Sequence, residues 1–416
     1  MSGGAARFCA VLSLVLAPGV GPGPVGAQQA DGLEAGWFGT SLSFSETMLD
    51  RQDNVTNKLA VALRARQAGV LSQNRLYLGG RAFGTIIHEE TNTAGKFPIL
   101  SRLPPSHASG LSDTYRVVNE VSLTATLTLP LVTVFAQGEY SEVPYPGQDD
   151  VQLRKAWVAL GDLNRAPFYL AVGRKTVNFG NFASYAPFTH THGAHYFWAQ
   201  VEDPLVELGY VTDRTEIAFS LIPEHRGFRV VSSPDNNGDY DNFALNVVHR
   251  FDLGSDLSLR VGAGYLRGTI YDSVIAYHPP STGINRRWNG AYDLNLTLSG
   301  GNFDLMGEFT QTEHIWPATG HKVTAMTLQG RYRSTLFGRP CTYSLAASRG
   351  IQGAKGTPWE KMDQAILGVE VDVARNLKLG AEYLFNDGFV PLILPKIVSD
   401  AGVTSHTVIL GAKLTF

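Results

Sequence analysis

Apolar and polar side chains alternate along most of this chain with a period of two. From Val117 to Leu129, odd positions Val117, Val121, Leu123, Ala125, Leu127 and Leu129 (with Asn119) alternate with Val118, Glu120, Ser122, Thr124, Thr126 and Thr128. The same rhythm runs through Leu257–Tyr265, through Leu377–Phe385 and through the final thirteen residues. There Val408, Leu410, Ala412, Leu414 and Phe416 share one face, and Thr407, Gly411, Lys413 and Thr415 share the other with Ile409. This is the pattern of strands with one face in an apolar medium and one in water. An apolar strand that runs to the last residue would leave an aggregation-prone edge unless it is paired. A closed barrel provides that pairing.

Short turn signals alternate with long polar connections. The turns include Leu129-Pro130, Thr212-Asp213-Arg214 and Ser299-Gly300-Gly301-Asn302; the long segments fall near 88–112, 177–202, 222–240, 272–288, 351–362 and 387–402. Strands are expected near 35–46, 56–68, 73–88, 113–129, 131–142, 151–161, 167–176, 203–211, 214–222, 240–252, 257–271, 289–298, 303–313, 323–334, 340–350, 363–373, 377–386 and 404–416. The fold class is therefore all-β: a transmembrane antiparallel β-barrel of about 18 strands, or 16 if 35–46 lies outside the wall. No fixed repeat length supports a solenoid instead. An even count places both chain ends on the periplasmic side.

Composition sharpens this picture. Hydrophobic residues make up 44% and charged residues 17%, with 44 Gly and 16 Tyr. No segment of the mature chain has the roughly 18 uninterrupted apolar residues of a membrane helix. Residues 1–27 read as a secretory signal, with Arg7, an apolar core at Phe8–Leu16 and a small-residue site at Val25-Gly26-Ala27. Residues 28–34 then form a short periplasmic leader, and 35–416 form the barrel. Loss of Arg7 moves the formal charge from −3 to about −4, which argues against a nucleic-acid partner. Cys341 remains as the single mature cysteine, so no internal disulfide forms.

Candidate functional residues lie in one long loop and on the wet face. The segment 177–202 carries Phe179, Phe182, Tyr185, Phe188, Tyr196, Phe197 and Trp198. Rings in such number pack on something: folding into the barrel mouth would bury them and narrow the pore, and the alternative is an external loop packed against its neighbours. His190, His192 and His195 form H-T-H-G-A-H. Their spacing matches no strong metal motif and no Cys is near, so a pH-responsive or hydrogen-bonding cluster is the reading and no metal or cofactor is assigned. Parity places Arg64, Arg66, Arg250 and Arg260 on the lumen face, with Lys175 near the outer mouth. Arg174 has the opposite parity and reaches the pore only if its strand has ended. Glu120, Glu139, Glu308, Glu370 and Glu382 are expected to face inward. Structural ion pairs are the plain reading of these charges, and a guard on permeation the functional one. Ser184, His195 and Asp203 make a triad only on paper. No Gly-x-Ser-x-Gly, Walker or metal-protease motif occurs, and no enzymatic activity is expected.

The alternating strands and terminal Phe416 resemble Gram-negative outer-membrane porins. Val172-Gly173-Arg174-Lys175-Thr176-Val177-Asn178-Phe179-Gly180-Asn181-Phe182, followed by Glu202-Asp203-Pro204-Leu205-Val206-Glu207-Leu208-Gly209, resembles a strand–loop–strand of the LbtU type of siderophore porin and, more loosely, phosphate-selective porins. The resemblance implies an outer-membrane channel, with passage of small solutes or iron–siderophore complexes independent of TonB. It also implies reading of Phe416 by the barrel-assembly machinery, contact with outer-membrane lipid and lipopolysaccharide, and homotrimers as one assembly. The alternatives are a receptor or adhesin barrel with an occluded lumen, and a barrel enzyme.

Overall fold

The structure is a computed structural model. It describes residues 34–50, 57–99, 106, 108–143, 149–201, 203–223, 230–234, 238–254, 256–273 and 287–416; the expected signal and most of the leader lie outside these. Sixteen antiparallel strands form the wall: β1 (Arg75–Thr91), β2 (Ser112–Thr128), β3 (Val132–Tyr140), β4 (Val151–Leu160), β5 (Phe168–Arg174), β6 (Leu205–Val211), β7 (Thr215–Ile222) and β8 (Asn242–Gly254), then β9 (Leu257–Leu266), β10 (Ala291–Gly300), β11 (Phe303–Thr312), β12 (Thr324–Leu336), β13 (Arg339–Ile351), β14 (Lys361–Ala374), β15 (Leu377–Phe389) and β16 (Asp400–Thr415). Each pairs with its chain neighbour, and β16 returns to β1 from Ser405↔Thr91 to Thr415↔Arg81, closing the cylinder. Every wall strand matches one expected from the alternation, to within a few residues. Sixteen is the smaller of the two expected counts.

The two remaining expected strands are helices. Segment 35–46 gives way to α1 (Leu42–Leu49), and 56–68 to α2 (Lys58–Gln67). The run K-L-A-V-A-L-R-A-R-Q is built from strong helix formers. Asn57 caps it by accepting from the Ala60 amide at 3.3 Å, and Ser41 caps α1 by accepting from Phe44 at 3.4 Å. Arg64 and Arg66 therefore sit on α2, and the wall position assigned to them by strand parity is wrong. The alternation of Val61, Leu63 and Ala65 with Ala62, Arg64 and Arg66 imitates a strand over one short stretch. Phe38–Gly39 adds a two-residue parallel pairing to the start of β1.

The outer surface carries the apolar face of each strand. Leu123, Leu208, Leu294, Leu328, Leu367 and Leu410 are all exposed there. Among the described residues no helix is long and apolar enough to cross a membrane; the strands supply the apolar belt. The inner face is polar and almost wholly buried, because protein fills the lumen.

Candidate functional site: two closures inside the barrel

The connection between β5 and β6 folds inward. Its rings are buried: Phe179, Phe182, Tyr185, Phe188, Tyr196, Phe197 and Trp198 are each at most 5% exposed. Burying one such ring is worth about 1.5–3 kcal/mol, so together they outweigh any single polar contact of the loop. The loop is a lid.

Wall carboxylates and amides hold it by its backbone. Glu308 on β11 accepts from the Asn181 amide at 2.7 Å and the Phe182 amide at 2.9 Å. Phe182 has φ +50° and follows Gly180 at φ +70°, a tight turn that aims both amides at one carboxylate. Gln329 on β12 accepts from the Tyr185 amide and donates to the Ala183 carbonyl, each at 2.9 Å. Glu382 on β15 accepts from the Phe188 amide, from the Thr189 amide at 3.1 Å and from the Thr189 hydroxyl at 2.7 Å. The Ser348 hydroxyl accepts from the His192 amide at 3.3 Å, at the start of the short helix α3 (His192–Phe197). A buried carboxylate needs such donors to stay in place.

Missing side chains in the wall shape a groove for the rings. A Cβ on Gly368 would lie 2.5 Å from Pro187, and on Gly380 or Gly411 2.8 Å from the Phe188 ring. On Gly350 it would lie 2.1 Å from Tyr196. Close approach, not turn geometry, requires glycine at these four strand positions. Wall cations also meet the rings: the Arg331 guanidinium is 4.4 Å from the Tyr185 ring centre and Lys413 Nζ is 5.5 Å from that of Phe188.

The three imidazoles do not converge. His190 stacks on Trp198 at 6.5 Å, His192 stacks on Tyr196 at 5.9 Å, and His195 tilts against Tyr196 at 5.2 Å. No group of three metal-ligating side chains forms among the described residues. Burial, and then the positive charge of His195, push His192 down to about 3, so its ring is neutral when the lid is seated. The Ser184 hydroxyl donates to the Thr189 carbonyl at 2.6 Å and is committed within the lid.

A second closure sits at the short-turn end. The α1–α2 pair enters the lumen and packs Phe44, Met48, Leu59 and Leu63 against the inward rings of Phe135, Trp157 and Tyr169. Arg66 donates to the carbonyls of Leu129 at 2.7 Å, Pro130 at 2.9 Å and Gly161 at 3.4 Å, and to the Thr133 hydroxyl at 2.7 Å. One guanidinium thus ties two turns together. Arg64 reaches the Thr212 carbonyl at 2.8 Å and pairs with Glu216 at 2.7 Å, and Glu216 also accepts from Asn57.

The other sequence candidates separate into different roles. Lys175 is 3% exposed and bonds Glu207 at 2.5 Å, where Tyr169, Asn178 and Ser220 also donate. Lys175 thus anchors the root of the lid. Arg174 is the last residue of β5 and is half-buried. Arg250 and Arg260 are cross-strand neighbours near the short-turn end, in step with the buried alternate positions of β8 and β9, Arg250 exposed and Arg260 half-buried. The inward carboxylates are in place, two of them as lid clamps. The sequence read the helical pair as strands, and it gave the wall glycines no role. For the glycines the signal was available, since all four interrupt strands on their wet face.

No protein-family profile matches the chain, and no curated protein matches it in sequence. Solved structures do. The anion-selective porin from Comamonas acidovorans superposes with a TM-score of 0.56 at 14% identity, over 82% of this chain and 99% of that one. OprB of Pseudomonas putida gives 0.56 at 11% identity, over 81% and 94%. The outer-membrane channel DcaP of Acinetobacter baumannii gives 0.53 at 14% identity, over 82% and 97%. At such identity the likeness is one of fold: this chain has the porin barrel.

Proposed function

We propose that the chain is an outer-membrane diffusion channel for small solutes that rests in a closed state and opens when the lid leaves the lumen. The observation that carries this reading is the docking of the lid through polar contacts to the inner wall, over a groove cut by Gly368, Gly380 and Gly411. A lumen meant only to be filled would be better packed by wall side chains than by a separate loop seated through backbone amides. In this reading the short turns and both chain ends face the periplasm, the barrel stands in lipid and lipopolysaccharide, Phe416 marks the chain for the assembly machinery, and trimers are one form it takes. A solute as large as an iron–siderophore complex, passing without TonB, needs the whole lid out.

A surface receptor with a permanently occluded lumen is the second reading, and the dense packing of both closures favours it. Planar-bilayer recording separates the two. A channel shows current in the wild type that grows when the clamps are removed. Silence in the wild type and in every lid variant leaves the receptor.

A further inference from the structure

Under the turn of the lid, two wall carboxyls touch. Asp293 on β10 and Glu308 on β11 sit diagonally, since Asp293 pairs with Thr310 and Asn295 with Glu308. Both are buried, at 1% and 7% exposure, and their carboxyl groups lie within hydrogen-bonding distance of each other. Asn295 and Thr310 donate to Asp293 at 2.7 and 2.6 Å, and the Asn181 and Phe182 amides donate to Glu308. These donors are all neutral. Among the described residues no Lys, Arg or His pairs with either carboxyl. Two carboxylates in contact cannot both stay charged unless a proton or a cation lies between them.

Two amide oxygens decide which it is. Asn181 Oδ1 and Asn246 Oδ1 are buried without a hydrogen-bond partner, in residues each 6% exposed. Asn181 belongs to the lid; Glu308 holds its backbone amide at 2.7 Å, and its Nδ2 has only the Met306 sulfur at 3.1 Å. Asn246 on β8 leans over Gly264 of β9, the cross-strand neighbour of both Asn246 and Asp293. Its Oδ1 lies 3.1 Å from where a Cβ on Gly264 would stand, and the Gly180 nitrogen lies 2.9 Å from the same point. A Cβ on Gly180 would in turn lie 3.0 Å from the Asp293 Cγ. The Gly180-Asn181 turn thus carries one orphan oxygen to the carboxyl pair and sits beside the other. A shared proton would join the carboxyls and leave both amide oxygens unmet. A cation liganded by oxygen meets all four groups.

The chemistry of the set selects the ion. Carboxylate and amide oxygens, without nitrogen or sulfur, suit a hard cation, and two negative charges match a divalent one. Mg²⁺ gives up its waters reluctantly, whereas Ca²⁺ accepts a flexible shell of carboxylate and amide oxygens at about 2.3–2.6 Å. We propose that Asp293, Glu308, Asn181 and Asn246 form a calcium site that bolts the turn of the lid to the wall. Asn181 comes from the lid and the other three ligands from the wall, so the shell is complete only when the lid is seated. Calcium then stabilises the seated lid by mass action. The site stands without the channel reading; its effect on current rests on that reading.

The probe is CaCl₂ on the purified protein in detergent after EDTA treatment, with MgCl₂ as its control. Titration calorimetry should show one saturable Ca²⁺ site with a dissociation constant of about 10⁻⁴–10⁻³ M, the range of extracellular sites, and weaker binding of Mg²⁺. Asp293→Asn, which keeps acceptors for Asn295 and Thr310, should weaken binding about tenfold or more. Asn246→Ala removes an oxygen that bonds nothing in the protein, so a merely structural role predicts no change there; binding about threefold weaker is expected. Heat-modifiable gel migration verifies that each barrel is folded. In bilayers, Ca²⁺ should lower the open probability of the wild type and leave that of Asp293→Asn unchanged. No Ca²⁺ binding, or binding equal to the wild type in Asp293→Asn or in Asn246→Ala, would overturn the site. Absence of binding together with a protonated-carboxyl infrared band that Asp293→Asn removes would also overturn it, in favour of a shared proton. Calcium binding as expected with no current in any variant supports the site and ends only the channel reading.

Discussion

At the residue scale, the proposed gate turns on a few side chains that hold the lid by its backbone. Glu382 supplies the acceptor for two amides and one hydroxyl. Hydrogen bonds to a charged group are worth about 1.5–3 kcal/mol each. Glu382→Ala should therefore raise the open population at least tenfold without unfolding the barrel, since the buried rings still favour the seated lid. Single-channel open probability measures this, and an unchanged value would mean that Glu382 does not hold the lid. His192 adds a pH response. Its solvated value is the usual 6.5, and burial lowers it to about 3, with Asp363 acting more weakly in the opposite sense. The seated lid thus resists protonation, and its stability is complete above pH 6.5 and lost as pH falls from there toward 3. Open probability should rise as pH drops below about 6, and His192→Phe, which keeps the stack on Tyr196, should flatten that rise. The same acid response in both proteins would remove His192 from the mechanism. The rings and histidines of the lid were legible in the sequence because they are concentrated in one segment. Their partners were not: Phe188 and Glu382 lie 194 residues apart, and no local pattern links them.

At the element scale, the sixteen wall strands were legible because a half-wet wall enforces period two on every strand. The helices were not. Ala, Leu and Arg in the α2 run alternate well enough to pass for a strand, and only the caps at Ser41 and Asn57 and the high helix propensity argue otherwise. Arg66 should be the fastening of this element. With Arg66→Gln, four acceptors at the turns lose their donor, and the pair should loosen. Trypsin cleavage after Lys58 or Arg64 in folded protein should become at least tenfold faster; an unchanged rate would show that apolar packing alone seats the helices. The β-bulge that sets Gln137 opposite Lys155 but Gly138 opposite Leu153 also lay beyond the sequence, since an inserted residue shows only against the partner strand. The glycine groove gives a test of the lid that leaves its own sequence intact. Gly380→Ala places a methyl against the Phe188 ring, and overpacking of this kind costs about 1–3 kcal/mol. Conductance should rise in that variant, whereas a channel as closed as the wild type would show that the groove yields freely.

At the scale of the whole molecule, the barrel is a cylinder with an apolar exterior and a filled, polar interior, closed by β16 on β1. Lid and helical pair both fill its lumen. If the lid is the gate, locking it to the wall must abolish current. A Cβ on Gly193 would lie 3.4 Å from the Thr327 hydroxyl, which makes Gly193→Cys with Thr327→Cys, in a Cys341→Ser background, a suitable tether between lid and β12. The decisive measurement is planar-bilayer conductance of this variant before and after reduction. Silence when oxidised and wild-type current when reduced are expected; equal current in both states would show that solutes do not pass by way of the lid, and the gated channel would be wrong.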